Sequence, residues 1–260
     1  MTKLSVSSAV APVYDKPAFS SEMVTQCLMW EIVAINRSKD DWFKIETLDG
    51  YRGWIHSFYL SEIDCVAENH LFVYDRYLPL YSESSLDSDI ISMLSFGTKV
   101  PLFSEEESGF FRVPFFTNNY CYIANNRTES FRSRHTIIDL SKILLGVPYL
   151  WGGKSSFGFD CSGFVQLLFN VLNIFLPRDS SNQYMVSDLK NISLQESMPG
   201  DLIYFFEGDC VNHVGIIIDD NQFIHCSGQV KLESIVEGSL LFNPKLANLN
   251  FIVKSIEGLL

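Results

Sequence analysis

The chain repeats itself, and a repeat on the scale of a small domain fixes more of the fold than any composition can. Pro12-Val13-Tyr14 recurs as Pro79-Leu80-Tyr81, and Trp42-Phe43-Lys44-Ile45 recurs as Phe110-Phe111-Arg112-Val113. After a one-residue slip, Trp54-Ile55 recurs as Tyr122-Ile123. Each copy alternates apolar and polar residues in short stretches separated by Ser, Asp, Glu, Asn and Gly, the pattern of small strands joined by turns. Two small β-barrels are therefore expected, over residues 1–62 and 63–128. The first carries the turn Asp49-Gly50 leading into Tyr51-Arg52-Gly53-Trp54-Ile55. The second has Asn118-Asn119-Tyr120-Cys121-Tyr122-Ile123 in its place and lacks the glycines, so it reads as a divergent copy with a mainly structural role.

A different pattern follows the polar stretch Asn125 to Arg134, and a third domain is expected over 129–260. Ile137, Ile138, Leu140, Ile143 and Leu144 have the spacing of an amphipathic helix, closed by Gly146 and Pro148. Leu202 to Phe206, Val214 to Ile218, Gln222 to His225 and Phe251 to Val253 read as strands of one sheet. Helices followed by antiparallel strands make an α+β layout.

The bulk numbers exclude several classes of partner. With 47% hydrophobic and 19% charged residues over 260 positions, the chain can bury an ordered core without staples. A formal charge of -12 argues against a nucleic-acid surface and against docking on anionic lipid. Apolar runs such as Val214 to Ile218 are far shorter than the roughly 20 residues that cross a bilayer. Ser residues interrupt the opening segment before an apolar stretch of signal-peptide length develops, so the mature protein is expected to start near Met1. Six scattered cysteines without a C-x-x-C pair suit a reducing compartment, and the cytoplasm is expected.

The chemistry concentrates where Gly152-Gly153-Lys154-Ser155-Ser156-Phe157-Gly158-Phe159-Asp160 runs into the apolar segment Cys161-Ser162-Gly163-Phe164-Val165. This is a glycine-rich loop entering a helix whose first turn carries a cysteine. Unpaired N–H groups and the positive end of the helix dipole favour a thiolate, so a lowered thiol pKa is expected, with the same N–H groups available to an oxyanion. Asp160 is placed to cap the helix. Gly152-Gly153 would let a substrate approach the backbone, with Trp151 beside them lining the cleft. Imidazole is the side chain suited to take a proton from the thiol and return it to a leaving amine. His213 is expected to open one strand and His225 to close the next across the Asp219-Asp220-Asn221 turn, so that His225 orients His213. Cys210-x-x-His213 and His225-Cys226 also suggest a zinc site, but residues adjacent on a strand point to opposite faces and share one metal poorly. No metal or other cofactor is expected.

Two resemblances gather these residues. The first copy, through Gly50-Tyr51-Arg52-Gly53-Trp54-Ile55, resembles bacterial SH3 domains. The region from Thr136 to Leu260 resembles the NlpC-type peptidases of cell-wall peptides. It does so through Pro148-Tyr149-Leu150-Trp151-Gly152-Gly153, Phe159-Asp160-Cys161-Ser162-Gly163, Leu176-Pro177-Arg178, Gln183, Pro199-Gly200-Asp201-Leu202, His213-Val214-Gly215-Ile216 and His225. The resemblance implies a papain-like catalytic domain, helices packed on an antiparallel sheet, behind two SH3-like barrels. It implies Cys161 as nucleophile, His213 as base and His225 as its orienting partner. The arrangement is similar to the gamma-D-glutamyl-L-diamino acid endopeptidases of murein recycling, which require a free N-terminal L-alanine. Tyr149, Asp160 and Ser162 would then line the site, with Tyr51 and Glu22 closing the end that holds the L-alanine amine and Asp160 as counter-charge to it. The implied substrate is a murein peptide, L-Ala-gamma-D-Glu followed by diaminopimelate or lysine. Two alternatives remain open on the sequence: an amidase or acyltransferase using the same thiol, and a wall- or partner-binding module whose catalytic domain is idle.

Overall fold

The computed structural model describes residues 4–62, 69–102, 109–116, 119–125, 132–219 and 222–260. The expected boundaries at 62/63 and 128/129, Cys65, Asn118, the turn residues Asp220 and Asn221 and most of the Asn125 to Arg134 stretch lie outside them. The chain divides into two compact units, Met1–Glu129 and Ser130–Leu260.

The first unit holds both repeats. Strands β1 (Leu4–Val6), β2 (Val10–Tyr14), β3 (Met23–Leu28), β4 (Ile32–Lys39), β5 (Trp42–Glu46), β6 (Arg52–His56) and β7 (Leu60–Glu62) form one sheet in the order β3-β2-β6-β5-β4-β1-β7. The second copy comprises β8 (Asn69–Phe72), β9 (Tyr77–Tyr81), β10 (Ile90–Ser95), β11 (Lys99–Leu102), β12 (Phe110–Phe115) and β13 (Asn119–Ala124). Its ladders run β10-β9-β13-β12 and β11-β8, which is the same path as β3-β2-β6-β5 and β4-β1. The register repeats residue by residue. Tyr14 pairs with Trp54 as Tyr81 pairs with Tyr122, and Lys44 faces Trp54 as Arg112 faces Tyr122.

That register also accounts for one lost glycine. A Cβ on Gly53 would lie 2.5 Å from Val13 Cγ1 and 2.9 Å from the Tyr14 carbonyl oxygen, so only glycine fits under the first copy's crossing strand. The equivalent position in the second copy is Cys121, fully buried, and its thiol faces the Val113 carbonyl at 3.8 Å. A small buried thiol behaves as a compact hydrophobe, and burial pushes this one up to about 12. The first barrel closes over Val6, Ala11, Val13, Cys27, Val33, Ile45 and Ile55. Met29 and Trp30 leave that barrel and join the core of the second with Leu80, Leu94, Val100, Phe111 and Val113. The Trp30 indole N–H donates to the Pro114 carbonyl at 3.1 Å, satisfying its one polar atom inside the shared core.

The second unit is α+β. Its helices are α1 (Arg134–Ile143), α2 (Cys161–Asn170), α3 (Ser180–Tyr184) and α4 (Pro244–Ala247), with a small ribbon of β14 (Lys154–Ser155) and β15 (Gly158–Phe159) before α2. The sheet contains β16 (Lys190–Ile192), β17 (Leu202–Glu207), β18 (Cys210–Asp219), β19 (Gln222–Ser227), β20 (Gln229–Glu233) and β21 (Asn250–Ser255), in the antiparallel order β16-β21-β17-β18-β19-β20. The four strands expected from sequence all belong to it. Helix α2 is apolar on nearly every side and packs against β18 and β19, with Phe164, Val165, Leu168 and Phe169 wholly buried. Burying each large side chain contributes about 1.5–3 kcal/mol, so packing rather than intrinsic propensity holds this ten-residue helix. Its wholly buried Gln166 donates to the Leu176 carbonyl at 3.0 Å. Asp201, from Pro199-Gly200-Asp201, ties α1 to the sheet: it is buried, accepts from Arg134 at 2.7 Å and takes the backbone N–H of Ile256 at 3.0 Å.

Candidate active site

Cys161 is the first residue of α2, and Asp160 is its N-cap in extended conformation (φ -90, ψ 177), accepting the Gly163 N–H at 2.7 Å. The N–H of Phe164 goes to the Asp160 carbonyl at 3.0 Å. The glycines of the entry loop are closely packed. Gly152 and Gly153 are buried, and a Cβ on Gly163 would lie 2.2 Å from the Gly153 carbonyl oxygen. Gly163 therefore lets the start of α2 touch the loop, and Gly153 itself packs closely, since a Cβ on it would lie 2.4 Å from the Gly158 carbonyl oxygen and 2.8 Å from that of Leu150. Trp151 beside them is 62% exposed.

Asp160 has a second partner that composition did not reveal. Arg178, 4% exposed, grips it with both arms, Nη1 to Oδ1 at 2.9 Å and Nη2 to Oδ2 at 2.5 Å. The same guanidinium donates to Ser162 Oγ at 3.0 Å, and Ser162 Oγ lies 3.3 Å from Asp160 Oδ1. Gln183 on α3 donates to the Ser162 carbonyl at 3.0 Å and to the Pro177 carbonyl at 2.9 Å, tying the Leu176-Pro177-Arg178 segment to the helix start. The negative charge at the cap is therefore already matched. Asp160, expected as counter-charge to an ammonium group, is paired here with Arg178, and the cluster Asp160–Arg178–Ser162 is neutral as a whole.

The thiol also departs from expectation. N–H groups of Val214 and Ser162 point at the Cys161 sulfur and stabilise its anion, and Arg178 adds to this, but burial and the adjacent Asp160 charge outweigh them and push the thiol up to about 11. The helix terminus alone does not make a resting thiolate here. Tyr149 lies close enough to feel the charges of Cys161 and Asp160. Burial first, then those charges, push its phenol up to about 12, so it stands at neutral pH as an O–H donor.

The base side of the site is built by the sheet. His213 is the fourth residue of β18 rather than its first, and a bulge sits directly beside it: Phe205 pairs with His213 and Phe206 with Val211, leaving Asn212 unpaired in the ladder. Such bulges re-aim side chains near reactive centres. Gly215 pairs with His225, so the two histidines are diagonal neighbours on adjacent strands, and His213 Nε2 lies 2.6 Å from His225 Nδ1. His225 is wholly buried and sits inside β19 rather than at its end. Burial holds the His213 imidazole down at about 4, and burial with the neighbouring ring holds His225 lower than usual as well. At neutral pH both rings are uncharged. His225 Nε2 is 3.1 Å from Glu233 Oε2 on β20, off the line of the ring N–H, so this contact is an electrostatic one rather than a well-aligned hydrogen bond.

The arrangement is that of a nucleophilic thiol site. The sulfur lies against the backbone of Val214, the residue after His213, and the Cys161 N–H has no acceptor among the described residues. Residues 146–241 match the NlpC/P60 family, and residues 13–58 match the bacterial dipeptidyl-peptidase Sh3 domain. Residues 146–241 are an NlpC/P60 domain. The match contains Tyr149, Asp160, Cys161, Ser162, His213, His225 and Glu233. A gamma-D-glutamyl-L-lysine dipeptidyl-peptidase from Bacillus subtilis (strain 168) is 28% identical over 215 residues, 77% of this chain and 71% of that protein. A protein of the same name from Bacillus cereus (strain ATCC 10987 / NRS 248) is 29% identical over 229 residues, 79% of this chain and 68% of that one. A crystal structure of an NlpC/P60 family protein from Bacillus cereus ATCC 10987 aligns with a TM-score of 0.82 and 22% identity, covering 96% of this chain and 98% of that one. The fold is thus the papain-like NlpC/P60 fold with an SH3-like domain at its N-terminal side.

Within the NlpC/P60 domain the predicted residues Cys161, Asp160, Ser162 and Tyr149 surround one another, and His213 and His225 form a bonded pair. Tyr51 and Glu22 belong to the first unit. Tyr51 is half-buried in the turn between β5 and β6, its N–H on Asp49 Oδ1 at 3.3 Å, and Glu22 is exposed just before β3, its carbonyl accepting from the Asp15 N–H at 2.9 Å. Arg178, Gln183 and Glu233 carry site contacts that sequence reasoning did not assign. Arg178 and Gln183 were within recognisable motifs, whereas Glu233 is signalled only by its position on the next strand. Among the described residues no group of three or more His, Cys, Asp or Glu side chains could hold a metal. The Cys226 thiol turns away from His225 to the Phe159 carbonyl at 3.1 Å, and Cys210 is exposed. No helix among the described residues is long and apolar enough to cross a membrane.

Proposed function

We propose that this chain is a cysteine peptidase that hydrolyses the bond between gamma-D-glutamate and the diamino acid in murein-derived peptides bearing a free N-terminal L-alanine. The observation that carries it is the Cys161 thiol set against the strand of the His213–His225 pair, in a chain that resembles two gamma-D-glutamyl-L-lysine dipeptidyl-peptidases over most of its length.

With thiol and imidazole both neutral at rest, the proton moves as the sulfur attacks. Cys161 adds to the glutamyl carbonyl, His213 takes the thiol proton, and the Cys161 N–H is available to the developing oxyanion. His213 returns that proton to the departing amine, leaving a thioester that water cleaves by the reverse exchange. Because Arg178 already balances Asp160, the L-alanine ammonium needs a further acid. Glu22, with Tyr51, is the candidate that the resemblance supplies, while the Tyr149 and Ser162 hydroxyls and an Asp160 oxygen contribute hydrogen bonds. We propose the cytoplasm as the place of the reaction, on recycled peptides, a reading that the free thiols among the described residues support.

The test uses L-Ala-gamma-D-Glu-meso-diaminopimelate, its L-lysine counterpart and the N-acetylated form of each, with products read by mass spectrometry. Release of L-Ala-gamma-D-Glu from the free-amine peptides, lost in Cys161→Ala and on acetylation, supports the proposal. Turnover indifferent to acetylation, transfer to an amine in place of water, or full activity without Cys161 would refute it.

A further inference from the structure

The His213–His225 pair ends on a carboxylate. Glu233 Oε2 is 3.1 Å from His225 Nε2, and Glu233 is itself fixed by two donors: Lys231 Nζ on Oε1 at 2.7 Å and Asn243 Nδ2 on Oε2 at 2.5 Å. Burial alone would raise the Glu233 carboxyl, but the hydrogen bonds from Lys231 and Asn243 and the nearby charges hold it below the usual range, so it is an anion at neutral pH.

An anionic carboxylate beside a ring nitrogen selects the tautomer that carries its proton there. His225 then holds its proton on Nε2, which leaves Nδ1 as an acceptor. The atom 2.6 Å from that acceptor is His213 Nε2, which must therefore be protonated, and this leaves His213 Nδ1 with its lone pair. We propose that Glu233 is a positioning residue that sets the tautomers of both histidines, so that the base nitrogen of His213 is the one left free for the Cys161 proton. Its negative charge also favours the imidazolium that forms on His213 during attack. Its kinetic consequence rests on the peptidase reading above; its tautomeric consequence does not.

Glu233→Gln is the discriminating variant because it keeps shape and packing. Asn243 Nδ2 also donates to Oε2, and its Oδ1 is held by the Lys245 and Leu246 N–H groups, so every Glu233→Gln protein in this test also carries Asn243→Asp; Lys231 then retains the glutamine carbonyl at the Oε1 position, and the amide NH2 at the Oε2 position serves both the introduced carboxylate and His225 Nε2. His225 then accepts there, carries its proton on Nδ1, donates to His213 Nε2 and leaves His213 protonated on Nδ1. Ring nitrogen shifts from long-range proton–nitrogen NMR read this directly: both rings are expected as the Nε2–H tautomer in the parent protein and as Nδ1–H in Glu233→Gln. Alkylation of Cys161 by iodoacetamide at pH 7.5 should slow. Tripeptide kcat should fall about 10- to 100-fold with KM within twofold, less than the roughly 10⁴-fold loss when the carboxylate directly behind a catalytic imidazole is removed. Unchanged tautomers in a folded Glu233→Gln protein, or alkylation and kcat both within twofold of the parent, would overturn the proposal. If no tripeptide is turned over by the parent protein, the peptidase reading fails, while the NMR and alkylation results still decide this one.

Discussion

Replacing Arg178 with Met tests the electrostatics of the thiol's own helix. The substitution keeps most of the aliphatic volume and removes a guanidinium that is 4% exposed and bonded to both oxygens of Asp160, at 2.9 and 2.5 Å. Removing one member of a buried pair costs about 3–5 kcal/mol, because the remaining charge stays desolvated. Asp160 keeps the Gly163 N–H and the Ser162 hydroxyl, so the lower end, about 3 kcal/mol, is expected. With a urea m-value of about 2 kcal/mol/M, the midpoint falls by about 1.5 M. Circular dichroism at 222 nm is the right probe, since every α-helix among the described residues belongs to the second unit. The double variant Asp160→Asn with Arg178→Met should recover much of the loss, because Asn caps a helix about as well as Asp and leaves no buried charge. An unpaired Asp160 also raises the Cys161 thiol further, so alkylation at pH 7.5 should slow in the single variant and recover in the double one. A midpoint shift under about 0.3 M, or a double variant no more stable than the single, would refute the reasoning.

Three further outcomes are expected. Because His213 is held at about 4 against about 6.5 when unfolded, the unfolded chain binds more protons between those values, and stability rises with pH across that window. Acidification from pH 7 towards 4 should therefore destabilise the second unit by at most about 3 kcal/mol for His213, with His225 and Glu233 acting in the same direction; urea midpoints independent of pH would contradict the buried neutral pair. Gly53→Val should destabilise the first barrel by about 3 kcal/mol through overpacking against Val13 and the Tyr14 carbonyl, read as a lowered melting temperature, and an unchanged melt would show that the crossing is looser than 2.5 Å. Trp30→Ala should cost about 3–5 kcal/mol and lower the protection of second-barrel amides in hydrogen exchange, since Trp30 belongs to that core; protection lost in the first barrel alone would contradict the shared core.

What the sequence disclosed depended on whether the determinant was local. The repeat was legible because alternation and turn residues write a strand pair into adjacent positions, and the pairings Tyr14–Trp54 and Tyr81–Tyr122 reproduce the alignment in space. Asp160 as cap was legible for the same reason, since its partner Gly163 is three residues away. Arg178, eighteen residues on, carries no local sign of its target, so the ion pair at the helix start is not legible in the sequence. The thiol pKa failed in the same way. A helix end is visible in a sequence, whereas desolvation is a property of everything packed around it, and here desolvation is the larger effect. The bulge at Asn212 is also silent in sequence, because it is a mismatch in length between β17 and β18. Glu233 lies twenty residues beyond His213, and only the pairing of β18 with β19 and of β19 with β20 brings it behind His225. The base could be read from residue type; the carboxylate that decides which of its nitrogens is free had to be read from the sheet.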